Sequence, residues 1–161
     1  MSAALKEQDV APAFRAIAVG GEYGGGREIS LSDFRGSAVV LYFYPKDDTP
    51  GCTVQACGIR DAWGELKNRA TVFGISVDPV ASHRKFIDKF NLPFPLLSDP
   101  ERKIVQDYGV WVEKSFMGKK HMGIERTTFV IDPAGLISAI YRKVKPENHV
   151  DLLKQALTPN K

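Results

Sequence analysis

The sequence is poor in the residues that bind metals or build disulfide frameworks. It has two cysteines and three histidines in 161 residues. His83, His121 and His149 are scattered, and no second Cys or His pair has the spacing of a zinc site. There is also no dinucleotide or flavin fingerprint, and the glycine run at residues 20–26 precedes no helix and predicts a hairpin loop. We therefore expect no metal and no cofactor.

Long runs of charge or of apolar residues are absent as well. The formal net charge is +3, and Lys114, Lys119, Lys120 and His121 form the only small basic group, which we assign to a solvated loop. Nucleic-acid binding is therefore not expected. No apolar stretch approaches the length of a membrane span, and the N-terminus lacks the pattern of a signal peptide. Two cysteines in such a chain fit a reducing compartment, the cytoplasm.

What the sequence does contain is an alternation of strand-like and helix-like segments. Its length and its 43% hydrophobic content suit one compact domain over residues 1–161. The turn at residues 132–135 joins the last two strands as a β-hairpin, so we predict an α/β fold with a mixed sheet. Strands are predicted at residues 14–19, 27–30, 39–44, 70–77, 95–97, 126–131 and 136–141, and helices at residues 50–69, 80–90, 101–108 and 147–157.

The most informative stretch is residues 42–57, YFYPKDDTPGCTVQAC, which holds both cysteines. The β-branched and aromatic run at residues 39–44 predicts a buried strand. Thr49 and Pro50 match an N-cap and a first helical residue, so Cys52 falls in the first turn of a helix. Unpaired backbone N–H groups and the helix dipole favour a thiolate there. Cys52 is therefore a candidate nucleophile.

The second cysteine, Cys57, lies five residues further along the same predicted helix. In an ideal helix the two Cα atoms are about 8.7 Å apart, whereas a disulfide needs Cα atoms within roughly 7 Å. Cys52 and Cys57 therefore bridge only if the first turns unwind, and Gly58 weakens the helix there. The alternative is that Cys57 is a small buried apolar residue, as free cysteines often are.

Residues 44–52, YPKDDTPGC, resemble the active-site loop of peroxiredoxins, in which Pro, Thr and Cys recur in this order and spacing. The four-residue gap to Cys57 resembles the bacterioferritin comigratory protein subfamily, also called peroxiredoxin Q. Gln55 departs from the pattern, because Glu is expected at this position. Further segments in the order of that subfamily extend the likeness over residues 10–157: SVD at 76–78, SHRKF at 82–86, FPLLSD at 94–99, YGVW at 108–111 and RTTFVID at 126–132.

The resemblance implies a thioredoxin-like fold, in which helices flank the mixed central sheet, and a thiol-dependent peroxidase. Cys52 would attack hydrogen peroxide or an alkyl hydroperoxide and become a sulfenic acid. Cys57 would resolve that sulfenic acid as an intramolecular disulfide, which a thioredoxin-like dithiol protein would reduce. If Cys57 were idle, an external thiol would take this role. The resemblance also implies a monomer.

Three further residues complete the implied site. Arg126 would supply a permanent positive charge, Thr49 a hydroxyl for the peroxide oxygens, and Pro45 a shield for the thiolate. Each has a simpler interpretation. Arg126 could be a surface arginine, Thr49 a plain N-cap and Pro45 the end of a strand.

Two other functions stay open at this point. One is a dithiol–disulfide oxidoreductase on the same fold, although such enzymes usually place two residues between their cysteines, and here there are four. The other is a thioredoxin-fold binding module with inert cysteines, which predicts that Cys52→Ser has no effect.

Overall fold

The computed structural model of the protein describes residues 4–157. Within them a seven-stranded mixed sheet forms the centre and helices pack on it. Two further strands pair only with each other and form a separate two-stranded sheet. The strands are β1 (Arg15–Val19), β2 (Arg27–Ser30), β3 (Val39–Phe43), β4 (Thr71–Ser76), β5 (Leu96–Ser98), β6 (Trp111–Phe116), β7 (Lys119–Ile124), β8 (Thr127–Ile131) and β9 (Ile137–Tyr141). The helices are α1 (Pro50–Asp61), α2 (Trp63–Leu66), α3 (Val80–Phe90), α4 (Lys103–Asp107) and α5 (His149–Ala156).

The strand order of the large sheet is β2-β1-β5-β4-β3-β8-β9. Strand β3 pairs parallel with β4 and antiparallel with β8, so it lies in the middle with a neighbour on each side. All five residues of β3 and all five of β8 are buried. Continuous burial of neighbouring strands means that both faces of the sheet are covered, as the apolar run in β3 predicts.

The two faces of β3 belong to two different hydrophobic clusters. Leu41 and Phe43 pack with Phe129 on one face, whereas Val40 and Tyr42 point to the other face because successive side chains alternate across a strand. The second cluster contains Cys52, and its other buried members include Ala56 and Ile59 of α1, Phe86 of α3 and Leu153 of α5. The first turn of α1 therefore packs against the aromatic side chains at the centre of the sheet.

Most predicted elements are present with bounds shifted by one or two residues, including the β8–β9 hairpin. The mixed sheet flanked by helices agrees with the predicted α/β class. The prediction of one domain over residues 1–161 extends to residues 1–3 and 158–161, which lie outside the described residues. No helix among residues 4–157 is long and apolar enough to cross a membrane.

The assignment of Lys114, Lys119, Lys120 and His121 to a loop is wrong. These residues lie on the β6–β7 hairpin, in which Lys114 faces His121 and Phe116 faces Lys119. Positive φ angles at residues 117 and 118 give the hairpin a turn of the type I′ kind. Both strands are mostly solvent-exposed, so they lack the apolar alternation from which a strand is predicted. Lys119, Lys120 and His121 are nevertheless exposed, as predicted, while Lys114 is half-buried.

Candidate active site

Cys52 lies where the sequence predicted it, in the first turn of α1. The helix begins at Pro50, Thr49 has the extended conformation of an N-cap residue, and the Thr53 N–H bonds to the Thr49 carbonyl at 2.8 Å. The N–H groups of Gly51 and Cys52 precede that first helical bond and have no carbonyl one turn earlier to pair with. Cys52 is only 1% exposed. Its sulfur is therefore largely shielded from water, in the helical turn whose N–H groups have no partner within the helix.

Arg126 reaches this cysteine from the residue just before β8. Its Nη1 atom lies 3.5 Å from Cys52 Sγ and donates to Gln55 Oε1 at 2.6 Å. Gly51 leaves room for the guanidinium, because a methyl group on that residue would lie 3.0 Å from Arg126 Nη2. The structure therefore brings together two residues that the sequence singled out separately, and it adds Gln55 to them.

Gln55 continues the contact into the protein interior. It has no exposed surface, and its Nε2 atom lies 3.0 Å from Nδ1 of His149. Nε2 of His149 lies 2.8 Å from Thr128 Oγ1. Burial, and then the charge of Arg126, lower the pKa of His149 to about 3. His149 is therefore neutral at physiological pH.

A second buried network fixes the loop that precedes α1. The Asp47 carboxylate accepts hydrogen bonds from Tyr44 Oη at 2.5 Å and from Ser82 Oγ at 2.8 Å. Nδ1 of His83 lies 2.7 Å from the same carboxylate, and His83 Nε2 lies 2.9 Å from the Leu97 carbonyl. Each imidazole nitrogen thus lies within hydrogen-bond distance of an oxygen acceptor. The buried contact between Asp47 and His83 ties the loop to α3.

The structure places Thr49 and Pro45 on this same loop. Thr49 is the N-cap residue of α1, as predicted, but its hydroxyl donates to the Lys46 carbonyl at 2.9 Å and makes no side-chain capping bond to the helix. Because its proton is committed to a carbonyl, the hydroxyl oxygen has lone pairs left with which to accept. Pro45 is half-buried and directly follows Tyr44, which is fully buried.

Cys57 lies on α1 itself, half-buried, and both cysteines are free thiols. The helix is continuous between Cys52 and Cys57, which is the arrangement in which the two Cα atoms are too far apart to bridge. Gly58 follows, and a methyl group there would lie 3.2 Å from Val150 Cγ2 of α5. This helix therefore packs closely on α5 directly after Cys57.

Local sequence patterns carry little signal for several residues of this site. They indicate neither the role of His149 nor the pairing of Asp47 with His83, because each contact joins residues far apart in sequence. Gln55 stands out in the sequence only as a departure from the family pattern. Among residues 4–157, no group of three or more His, Cys, Asp or Glu side chains is arranged to hold a metal ion.

Comparison with known proteins identifies the family. The sequence profile of the AhpC/TSA family matches residues 8–140. The chain belongs to the AhpC/TSA family. Among its relatives in this family, "Putative peroxiredoxin bcp" of Coxiella burnetii is 56% identical over 126 residues, which are 78% of this chain and 83% of the relative. "Peroxiredoxin Bcp" of Escherichia coli is 45% identical over 150 residues, or 92% of this chain and 93% of the relative.

Solved structures of AhpC/TSA proteins agree with this assignment. Peroxiredoxin Q of Xanthomonas campestris has a TM-score of 0.81 and 36% identity, with 89% of each chain covered. A mutant of PrxQ from Xylella fastidiosa has a TM-score of 0.85 and 31% identity, with 96% of each chain covered. The predicted resemblance to peroxiredoxin Q and the predicted thioredoxin-like fold are confirmed. So is the predicted enzyme class, a thiol-dependent peroxidase.

Proposed function

We propose that Cys52 is the peroxide-attacking residue of this enzyme. The observation that carries the proposal is the 3.5 Å contact between the Arg126 guanidinium and the Cys52 sulfur in the first turn of α1. The Cys52 thiolate attacks the nearer oxygen of a hydroperoxide, the O–O bond breaks, and that oxygen stays on sulfur as a sulfenic acid. The second oxygen leaves with the bonding electrons and takes up a proton, which gives water or an alcohol.

Arg126, Thr49 and Pro45 support this step, together with the backbone of Cys52 itself. The guanidinium of Arg126 offers rigid donors and a fixed charge to the peroxide oxygens, and the backbone N–H of Cys52 adds a donor of the oxyanion-hole kind. The Thr49 hydroxyl donates its own hydrogen bond to the Lys46 carbonyl. Its oxygen is therefore able to accept a hydrogen bond from the O–H of the hydroperoxide. Pro45, half-buried on the same loop, shields the thiolate from water.

Cys57 completes the cycle. Its thiol condenses with the sulfenic acid, so that a disulfide forms and one water leaves. The helix between the two cysteines must unwind first, because an intact α1 holds their Cα atoms too far apart. A thioredoxin-like dithiol protein then reduces the disulfide in two thiol–disulfide exchanges and becomes oxidised itself.

The substrates we propose are hydrogen peroxide and alkyl hydroperoxides. Structures of the related bacterioferritin comigratory protein of Xanthomonas campestris concern its alkyl peroxide reduction activity. A dithiol reductant requires a reducing compartment, so we propose that the protein works in the cytoplasm, as a monomer that binds neither membrane nor nucleic acid.

Intact-mass analysis tests this proposal. Fully reduced protein is treated with one equivalent of hydrogen peroxide and then alkylated. A loss of roughly 2 Da with no alkylated cysteine is expected. The Cys57→Ser variant serves as the control and should instead gain roughly 16 Da. Wild-type protein with two alkylated cysteines and unconsumed peroxide would refute the peroxidase assignment.

A further inference from the structure

Behind the reactive cysteine, a row of buried side chains runs from Arg126 through Gln55 and His149 to Thr128. Each link is a hydrogen bond of 2.6 to 3.0 Å. Gln55, His149 and Thr128 have no exposed surface. His149 is the first residue of α5 and is separated from Gln55 by 94 positions in the sequence. The row therefore connects the reactive turn of α1 to the C-terminal helix.

The direction of every hydrogen bond in this row is fixed by its first member. A guanidinium can only donate, so the atom of Gln55 that faces Arg126 must be the amide oxygen. The amide nitrogen of Gln55 then faces His149 and donates, which requires Nδ1 of His149 to be without a proton. The remaining imidazole proton lies on Nε2 and is directed at the Thr128 hydroxyl oxygen.

We infer that His149 is a positioning residue of the peroxidase site. As a neutral imidazole with a bare Nδ1, it holds the Gln55 amide with its oxygen toward Arg126, and Gln55 in turn holds the guanidinium against Cys52. This inference rests on the proposed function, because it matters only if Arg126 and Cys52 carry the reaction. His149 itself does not touch the sulfur or the peroxide.

The choice of glutamine at position 55 gives His149 this role. A carboxylate there would present an acceptor to Arg126 in either orientation and would need no partner to orient it. An amide has one acceptor end and one donor end, so the wrong orientation sets N–H against N–H. Rotation of the Gln55 amide would also leave a buried donor unpaired, which is costly. Orientation of Gln55 therefore depends on an acceptor at position 149.

Other interactions of His149 are compatible with this role. Its ring packs edge to face against Tyr42, with centroids 5.3 Å apart. Arg126 is the charged group that acts on the ring, and its repulsion adds to burial in lowering the pKa of His149. A protonated His149 would carry a proton on Nδ1 and would repel the Gln55 amide. All the hydrogen bonds of this row can therefore form together only when His149 is neutral.

Nitrogen NMR on the reduced wild-type protein tests the tautomer directly. With histidine labelled in ¹⁵N, His149 should be neutral, with its proton on Nε2, at both pH 7 and pH 5. His121, which is exposed to solvent, provides the reference signal. A proton on Nδ1 of His149, or a charged ring at pH 5, would overturn the inference. This measurement requires no substitution.

A double-mutant cycle then tests the role. The second-order rate constant for loss of the Cys52 thiol to hydrogen peroxide is measured for wild type, His149→Phe, Gln55→Met and the double variant, together with melting temperatures. Each single variant should slow the reaction about ten- to hundredfold. The double variant should be no slower than Gln55→Met, because His149 acts through Gln55. His121→Phe, the same change at an exposed site, should keep the wild-type rate.

The outcomes separate this inference from the proposed function. If His149→Phe reacts at the wild-type rate, His149 contributes only to stability, and if the two losses multiply in the double variant, His149 acts on the rate independently of Gln55. The inference fails in both cases. The proposed function still stands in that case, provided that wild-type protein consumes peroxide and Cys52→Ser does not. If wild type itself does not consume peroxide, the proposed function fails instead, and the NMR result still reports on the hydrogen-bonded row.

Discussion

One nitrogen atom of Arg126 contacts both the Cys52 sulfur, at 3.5 Å, and the Gln55 amide oxygen, at 2.6 Å. Arg126 and Cys52 lie 74 positions apart in the sequence. The shared atom means that the side chain that orients the guanidinium also determines where its charge lies relative to the thiol. The reaction at Cys52 therefore depends on the position of Gln55, which acts through Arg126.

Arg126→Lys should slow the oxidation of Cys52 by hydrogen peroxide about a hundredfold, as loss of a preorganised donor commonly does. A lysine keeps the charge but has a single nitrogen on a flexible stem, so it does not reproduce the fixed donors of the guanidinium. Stopped-flow mixing with peroxide measures the rate. Arg142→Lys, at an exposed arginine, is the matched control and should react like wild type. Equal rates for both variants would remove Arg126 from the site.

Gly51→Ala should slow the same reaction about tenfold through misplacement of the guanidinium. The added methyl would lie 3.0 Å from Arg126 Nη2, which forces that group to move. Gly64→Ala is the control, because Gly64 is also helical and a methyl there meets nothing within 4 Å. A Gly51→Ala protein that reacts as fast as the Gly64→Ala protein would show that the guanidinium position is not critical.

Asp47→Asn should lower the free energy of unfolding by about 3 kcal/mol, because it replaces the buried carboxylate that accepts hydrogen bonds from Tyr44 and Ser82 and contacts His83. Asp48→Asn removes the partner of Lys89 in an exposed pair and should cost less than about 1 kcal/mol. Urea denaturation of the two neighbouring variants gives the comparison. Similar losses in both would contradict a stabilising role for the buried contacts of Asp47.

Oxidation should melt the first turns of α1. Backbone amides of residues 53–59 should lose protection from hydrogen exchange once the disulfide forms, because an intact helix cannot bring the cysteines together. Exchange detected by mass spectrometry measures this, with the buried strand β4 as the internal reference. In Cys57→Ser treated with peroxide, the same amides should stay protected. Full protection in oxidised wild type would exclude the bridge between the two cysteines.

Stability should depend on pH through His149. Its pKa is about 3 in the folded protein against 6.5 when unperturbed, so the unfolded chain binds a proton that the folded one does not. Below pH 6.5 this favours unfolding by about 1.4 kcal/mol per pH unit. Wild type should therefore lose about 2 kcal/mol more than His149→Phe between pH 7.5 and pH 5. Urea titrations of reduced protein at both pH values measure it, and parallel losses would show that His149 is not buried as a neutral group.

The sequence alone determined the helical turn that holds the reactive cysteine. The apolar run of β3, the Thr49–Pro50 helix start and the position of Cys52 are local features, encoded within about twenty residues, and local patterns suffice for them. The family resemblance added Arg126 and Cys57, and most strand and helix positions followed from hydrophobic periodicity. The exposed β6–β7 hairpin escaped prediction because its strands bury little apolar surface.

Only the tertiary structure determined how these residues meet. The contacts of Arg126 with Gln55, of Gln55 with His149 and of Asp47 with His83 join residues 71, 94 and 36 positions apart. Such pairings arise from the order of strands in the sheet and the packing of helices α1, α3 and α5 on one of its faces, which no local pattern specifies. Burial then requires each polar group to find a partner, and this requirement fixed the tautomer of His149 and the orientation of Gln55.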